Sequence, residues 1–259
     1  MSADRPSWQR NGRDDILAPG FSTPLDAPTV PPFPMRFRDV EVLTLTWRTD
    51  PDAVARLLPE PLEATGDWAM AHIYRMGDVG WLGPYHEVNV MVGARLGRIE
   101  GAYSPYLFLS SDVGVAHGRE VHGQPKKLAE PRLEHRGDLV VGTLARNGID
   151  VLTGTTPYRQ GRGDLDDLGA IFPFATNINL KAVDHIDARP AIRQLTSRTL
   201  ANVEVGECWR APGTVELRPN AQAPVHRLPV REMGDAWHWT AAFDLVPGTI
   251  LYDYLEEER

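Results

Sequence analysis

Three lysines stand among the 27 basic residues of this 259-residue chain: Lys126, Lys127 and Lys181; every other basic residue is an arginine. A chain that uses arginine for ordinary surface charge nevertheless sets two of its lysines side by side. Arginine replaces lysine as a solvated cation but does not deprotonate near neutrality, so only lysine can serve as an amine nucleophile. The chemistry open to such a lysine is attack on a ketone to form an imine. An unperturbed lysine, with a pKa near 10.4, is neutral only about once in 2,500 at pH 7. Two routes lower that value: desolvation in an apolar pocket and repulsion from a neighbouring cation. Lys127 could supply the second to Lys126, but neighbours on an extended segment point to opposite sides. The sequence leaves both routes open.

The lysine pair closes the segment from Gly118 to Leu128 (GREVHGQPKKL), in which Pro125 ends a helix and sets Lys126 just beyond it. Other chemistries are excluded by their missing motifs. There is no G-x-x-x-x-G-K-[ST], no G-x-G-x-x-G after a strand, no G-x-S-x-G and no H-E-x-x-H. His117, Glu120 and His122 share one helical stretch, but i and i+5 do not face one another on an α-helix, so no metal site is expected there. The single cysteine, Cys208, forbids an internal disulfide and is expected to be packed rather than reactive.

The elements that must position these residues are mostly strands. From Val40, Leu43, Leu45 and Trp47 alternate with Thr44 and Thr46, a period of two with one buried face. Thr49, Asp50 and Pro51 read as a helix start with a capping side chain, and the helix stops before Pro59. Further strands are expected at 68–76, 86–96, 106–111, 131–136, 138–146 and 149–158, the last two joined by Asn147-Gly148 as a tight hairpin. Short helices are expected from Asp112 to about Gly123 and over 165–171. Strands resume at 174–183, 191–219, 237–246 and 249–254. Residues 1–34, with Pro24, Pro28, Pro31, Pro32 and Pro34, read as an extended N-terminal arm; residues 35–259 read as one catalytic domain. Many strands with few helices argue for a mainly β (α+β) barrel or sandwich.

Composition narrows the class. Acidic residues number 35, for a net charge of −8, which argues against nucleic acid and an anionic membrane surface as partners. No apolar run has the length of a membrane span. The N-terminus carries charges where a signal peptide needs an apolar region. A cytoplasmic protein is the expectation.

The run G-R-E-x-x-x-x-P-K-K-L resembles the lysine motif of the acetoacetate decarboxylase-like superfamily. The likeness extends over roughly residues 20–259. It includes WRTD at 47–50, LPEPLE at 58–63, GPYHE at 83–87, VGTL at 141–144, Ala223-Pro224, LPVRE at 228–232 and YDYL at 252–255. The resemblance implies a β-rich barrel or cone that assembles into homo-oligomers, uses no cofactor or metal, and buries its lysine in a central pocket. It makes Lys126 the Schiff-base lysine and Lys127 its cationic neighbour, a mode of activation for which acetoacetate decarboxylase is the standing example. Glu87 matches an active-site glutamate.

Two positions depart from the decarboxylase pattern. Val40 stands where the family's N-R-E carries arginine, and His72 stands where it carries a second glutamate. Arg36, Arg38 or Arg75 could restore a guanidinium, Arg38 being taken with His72, Gln124, Tyr85 and Tyr252 as substrate-binding candidates. With an ordinary pKa near 6.5, His72 would suit a proton shuttle. On that basis the leading expectation is aldolase–dehydratase chemistry, in which a pyruvate-like 2-oxo acid condenses with an aldehyde through an enamine. The alternative is decarboxylation of an acetoacetate-like β-keto acid. A carbonyl-binding barrel without turnover is the reading from a different class.

Overall fold

The protein, seen in a computed structural model, is described over residues 12–31 and 33–256. A short helix α1 (Arg13–Ile16) precedes the first strand. The chain continues through β1 (Met35–Arg48), α2 (Pro51–Ala55), β2 (Glu63–Asp78), β3 (Tyr85–Leu96) and β4 (Ile99–Leu109). Next come α3 (Asp112–His117), a π-helical turn (Gly118–His122), β5 (Lys126–Leu128), β6 (Glu130–Arg136), β7 (Leu139–Arg146), β8 (Ile149–Pro157) and β9 (Gly161–Arg162). The last part holds α4 (Leu165–Gly169), β10 (Asn177–Asp184), β11 (Pro190–Arg198), β12 (Leu200–Pro212), β13 (Thr214–Leu217), β14 (Glu232–Leu245) and β15 (Thr249–Asp253).

An eleven-stranded sheet has the order β15-β11-β10-β4-β3-β2-β1-β14-β12-β9, with β5 added beside β4. A second sheet, β13-β8-β7-β6, has four strands. The mainly β class with a few short helices is as expected. The barrel is not: among the described residues β15 and β9 do not pair, so the large sheet stays open. The arm is not wholly extended either, since α1 lies ahead of its prolines. Residues 1–11 and Pro32 lie outside the described residues.

β1 shows why one-face alternation was too simple. Leu43, Leu45 and Trp47 are fully buried between the two sheets, but Thr44 and Thr46 on the opposite face are buried as well. That face meets a second apolar cluster containing Val42, Met70, Met91, Trp237 and Trp239. The two threonine hydroxyls are satisfied there: Thr46 donates to the carbonyl of Asp235, and Thr44 bonds to His72 and Trp239. The small sheet comes close because Gly142 and Gly154 face each other across β7 and β8. A Cβ at Gly142 would stand 2.3 Å from a methyl of Ile73, and one at Gly154 2.0 Å from a methyl of Leu45.

The hairpin between β7 and β8 turns at Asn147 (φ 53°) and Gly148 (φ 71°), the left-handed pair of a type I′ turn. At the start of α2 the expected cap is absent. Asp50 instead accepts two hydrogen bonds from Arg231, at 2.7 and 2.8 Å. No helix among the described residues is long and apolar enough to cross a membrane.

Candidate active site

β4 organises the site. Its outer edge carries β5 in parallel, with Lys126 beside Leu107, while its inner edge pairs with β3, with Glu87 beside Leu109. Lys126 and Glu87 are both buried, and Nζ donates to Glu87 Oε2 at 3.0 Å. Alternation then sends Lys127 to the other side, where Nζ bonds to the carbonyl and the side-chain oxygen of Gln222 at 3.1 and 3.2 Å. Lys127 is exposed and lies outside the cavity that holds Lys126. Its expected place beside the nucleophile is therefore corrected: a strand cannot turn two consecutive side chains to one face.

The π-helical turn brings the rest of the motif together. Its extra residue per turn is what lets His117 and His122 meet, with ring centroids 5.5 Å apart, against the expectation for i and i+5 on an α-helix. Phe33 packs against both rings. Burial holds His117 down to about 4, with Lys126 adding to the effect; His122 falls to about 3 by burial and the charge of Arg198. The turn also leaves Gly118 under the lysine: a Cβ there would stand 2.4 Å from Lys126 Cδ and 2.9 Å from Gln124 Oε1.

The cavity has a volume of about 810 Å³. Lys126, Glu87, His72, Tyr85 and Gln124 are gathered on its wall. Gln124 donates to Asn177 Oδ1 at 3.4 Å, and Asn177 donates to Ser104 Oγ at 2.7 Å, which fixes the amides. Burial and the charge of Glu87 raise the pKa of Tyr85 and of its neighbour Tyr74, so both phenols keep their protons. Tyr252 and Arg38 are not brought to the cavity. Tyr252, opposite Leu195 on β11, packs edge-on against Tyr254. Arg38, at a mostly exposed position, pairs with Asp78 at 3.6 Å.

His72 differs most from its expected character. Burial, aided by the charge of Arg198, lowers its pKa to about 3, so the ring is neutral at pH 7 and a weaker base than expected. Its tautomer follows from its neighbours. Thr44 Oγ accepts the indole N–H of Trp239 at 3.0 Å and lies 2.7 Å from His72 Nδ1. The arrangement that gives the Thr44 hydroxyl proton an acceptor is donation to Nδ1, which leaves the ring's own proton on Nε2, an atom with no protein partner among the described residues.

The guanidinium of the cavity comes from Arg198, at the end of β11, which sequence reasoning missed. The candidates considered in its place are committed elsewhere. Arg36 bonds to Glu204 and to Asp244, and Arg75 bonds to Glu41 and Asp39. Arg198 makes no ion pair or side-chain hydrogen bond among the described residues, and its Nε is shut off from solvent without a partner. Burial lowers its pKa, opposed by Tyr74 and the charge of Glu87. No local motif marks it out from the other arginines; only the strand order carries it to the site.

Comparison with known proteins follows the same path through the fold. The acetoacetate decarboxylase (ADC) family matches residues 22–255. Acetoacetate decarboxylase 1 of Bradyrhizobium diazoefficiens is 35% identical over 93% of this chain and 96% of its own. The crystal structure of acetoacetate decarboxylase from Legionella pneumophila superposes with a TM-score of 0.85 at 30% identity, covering 93% of this chain and 96% of that one. The enduracididine biosynthesis enzyme MppR, complexed with pyruvate, shares the fold (TM-score 0.76, covering 91% of this chain and 98% of that one) at 19% identity. With agreement running from the arm to the last strand, the chain belongs to the acetoacetate decarboxylase family and is an enzyme of the lyase class.

Proposed function

We propose that the protein decarboxylates a β-keto acid through a Schiff base on Lys126. The observation that carries this reading is the buried Lys126–Glu87 pair at 3.0 Å inside a largely apolar cavity. Glu87 Oε2 lies where it can take a proton from Nζ, and the freed amine adds to the ketone carbon of the substrate. Loss of water leaves a protonated imine. The bond between the α-carbon and the carboxylate then breaks, its electron pair moves toward the iminium nitrogen, and carbon dioxide departs. The enamine takes a proton on carbon, and water hydrolyses the resulting imine to ketone and free lysine. Tyr85, Gln124 and the Nε2 proton of His72 are neutral donors for the oxygen that is lost as water.

Two observations support decarboxylation over the aldol–dehydration first expected. His72, on which the second rested, is held neutral by burial and does not titrate near pH 6.5. The curated relatives named acetoacetate decarboxylase are 34–36% identical across almost the whole chain, whereas the pyruvate-bound neighbour is 19% identical. The test is carbon dioxide release from a panel of β-keto acids, with borohydride trapping located by peptide mass spectrometry. Release and trapping on Lys126 are expected, both abolished in Lys126→Ala. Unchanged release in Lys126→Arg, which keeps charge but forms no imine, would overturn it.

A further inference from the structure

The cavity is large for a four-carbon acid. Its volume of about 810 Å³ falls in the upper part of the range, about 300–1,000 Å³, of sites that enclose drug-sized ligands. Most of the wall is aromatic and aliphatic, with Phe37, Phe174, Trp239, Phe243, Leu165 and Leu200. A small polar acid would leave most of that wall against water.

The charges point the same way. Lys126 and Glu87 pair at 3.0 Å. Of the other charged groups on the wall, Asp166 is exposed, and Arg198 has no carboxylate in contact among the described residues. A guanidinium whose Nε is shut off from solvent without a partner is costly to hold, and an arriving carboxylate relieves that cost with parallel hydrogen bonds. Val40 on β1 is buried in the apolar cluster beside the cavity, and the cavity's guanidinium comes from Arg198 on β11.

We propose that Arg198 anchors the substrate carboxylate and that the substrates are β-keto acids bearing an aromatic or similarly bulky apolar group on the ketone. This rests on the decarboxylase reading for the reaction, but the binding it describes is measured separately. Because the carboxylate loses its charge as the bond breaks, Arg198 acts on binding more than on the chemical step. In Arg198→Gln, KM rises about 10- to 100-fold while kcat changes by less than about threefold.

Two measurements test this. In the first, kcat/KM for 3-oxo-3-phenylpropanoate is compared with that for acetoacetate, and a preference of at least about tenfold for the aryl acid is expected. In the second, 3-phenylpropanoate, which has no ketone and forms no imine, is titrated calorimetrically against propanoate and 3-phenylpropan-1-ol. Wild type should bind 3-phenylpropanoate at least about tenfold more tightly than propanoate. Arg198→Gln should weaken 3-phenylpropanoate about 10- to 100-fold and leave the alcohol within twofold, which also shows that the variant is folded; Arg198→Lys should recover part of the loss. Equal affinity for both acids, or unchanged 3-phenylpropanoate binding in Arg198→Gln, would overturn the proposal. Intact, Arg198-dependent binding without carbon dioxide release would instead sink the decarboxylase reading and leave the anchoring site standing.

Discussion

Thr44 Oγ and Nδ1 of His72 share a hydrogen bond of 2.7 Å, and the same oxygen accepts the indole N–H of Trp239 at 3.0 Å. A residue on the buried polar face of β1 thereby bonds directly to the ring of a cavity histidine and bears on which nitrogen carries its proton. The two residues lie opposite each other in the β1–β2 ladder, so backbone register holds the pair in place.

Thr44→Val keeps the shape but removes both hydrogen bonds. It leaves two buried polar atoms unpaired and should cost about 2–4 kcal/mol of stability. Nitrogen NMR of the His72 ring should show a proton on Nε2 in wild type and a mixture of tautomers in the variant. An Nδ1-protonated ring in wild type would refute the assignment.

Lys127→Met is expected to leave kcat, KM and the pH–rate profile within about twofold of wild type, because its ammonium bonds to Gln222 outside the cavity and exposed polar contacts contribute little. A displaced pH profile would mean that Lys127 acts on Lys126 through space after all.

Gly118→Ala places a methyl where the lysine stem runs, 2.4 Å from Cδ. The fold should persist, as judged by circular dichroism. Borohydride trapping on Lys126 should fall about 10- to 100-fold, since a displacement near 1 Å in a reacting group has effects of that size. Trapping at the wild-type rate would show that the stem has room to move.

Acid should destabilise the protein well above the carboxylate range. The pKa values of His72, His117 and His122 are lowered in the folded state to about 3, about 4 and about 3, while the unfolded chain takes up these protons near pH 6.5. The unfolded state therefore binds more protons as pH falls below about 6.5, and folding stability drops with it. Each buried histidine contributes up to about 1.4 kcal/mol per pH unit between about pH 6 and the folded-state value. Urea denaturation at pH 7, 6 and 5 measures the slope. A flat profile over that interval would contradict the burial of these rings, and His122→Gln should make the slope shallower.

Much of the frame was legible in the sequence because it is local. Asn147-Gly148 places a hairpin wherever it falls between two alternating strands, and Pro125 ends a helix whatever surrounds it. The Lys126–Glu87 pairing was legible only through resemblance, since β3 and β5 lie on opposite sides of β4. The remainder depends on which strands become neighbours. Thr44 resembles a solvent-facing residue until a second apolar layer covers it. His72 has an ordinary pKa until burial removes water. Arg198 reaches the cavity because β11 pairs with β10 and β10 runs parallel to β4, an arrangement that no local spacing encodes.

The outer edge of β4 is divided between two short parallel partners. β10 pairs at Ala102 and Tyr103, and β5 pairs from Leu107 to Leu109. Lys126 hangs from the second attachment, and Arg198, opposite Asn177, from the first. On the proposed roles, bond-making and ligand choice hang from separate brackets of one rail, tied to each other where Asn177 of β10 holds Gln124. A substitution at the outer end of β11 would then retune which acid is accepted, whereas one at Asn177 would reach the lysine turn as well.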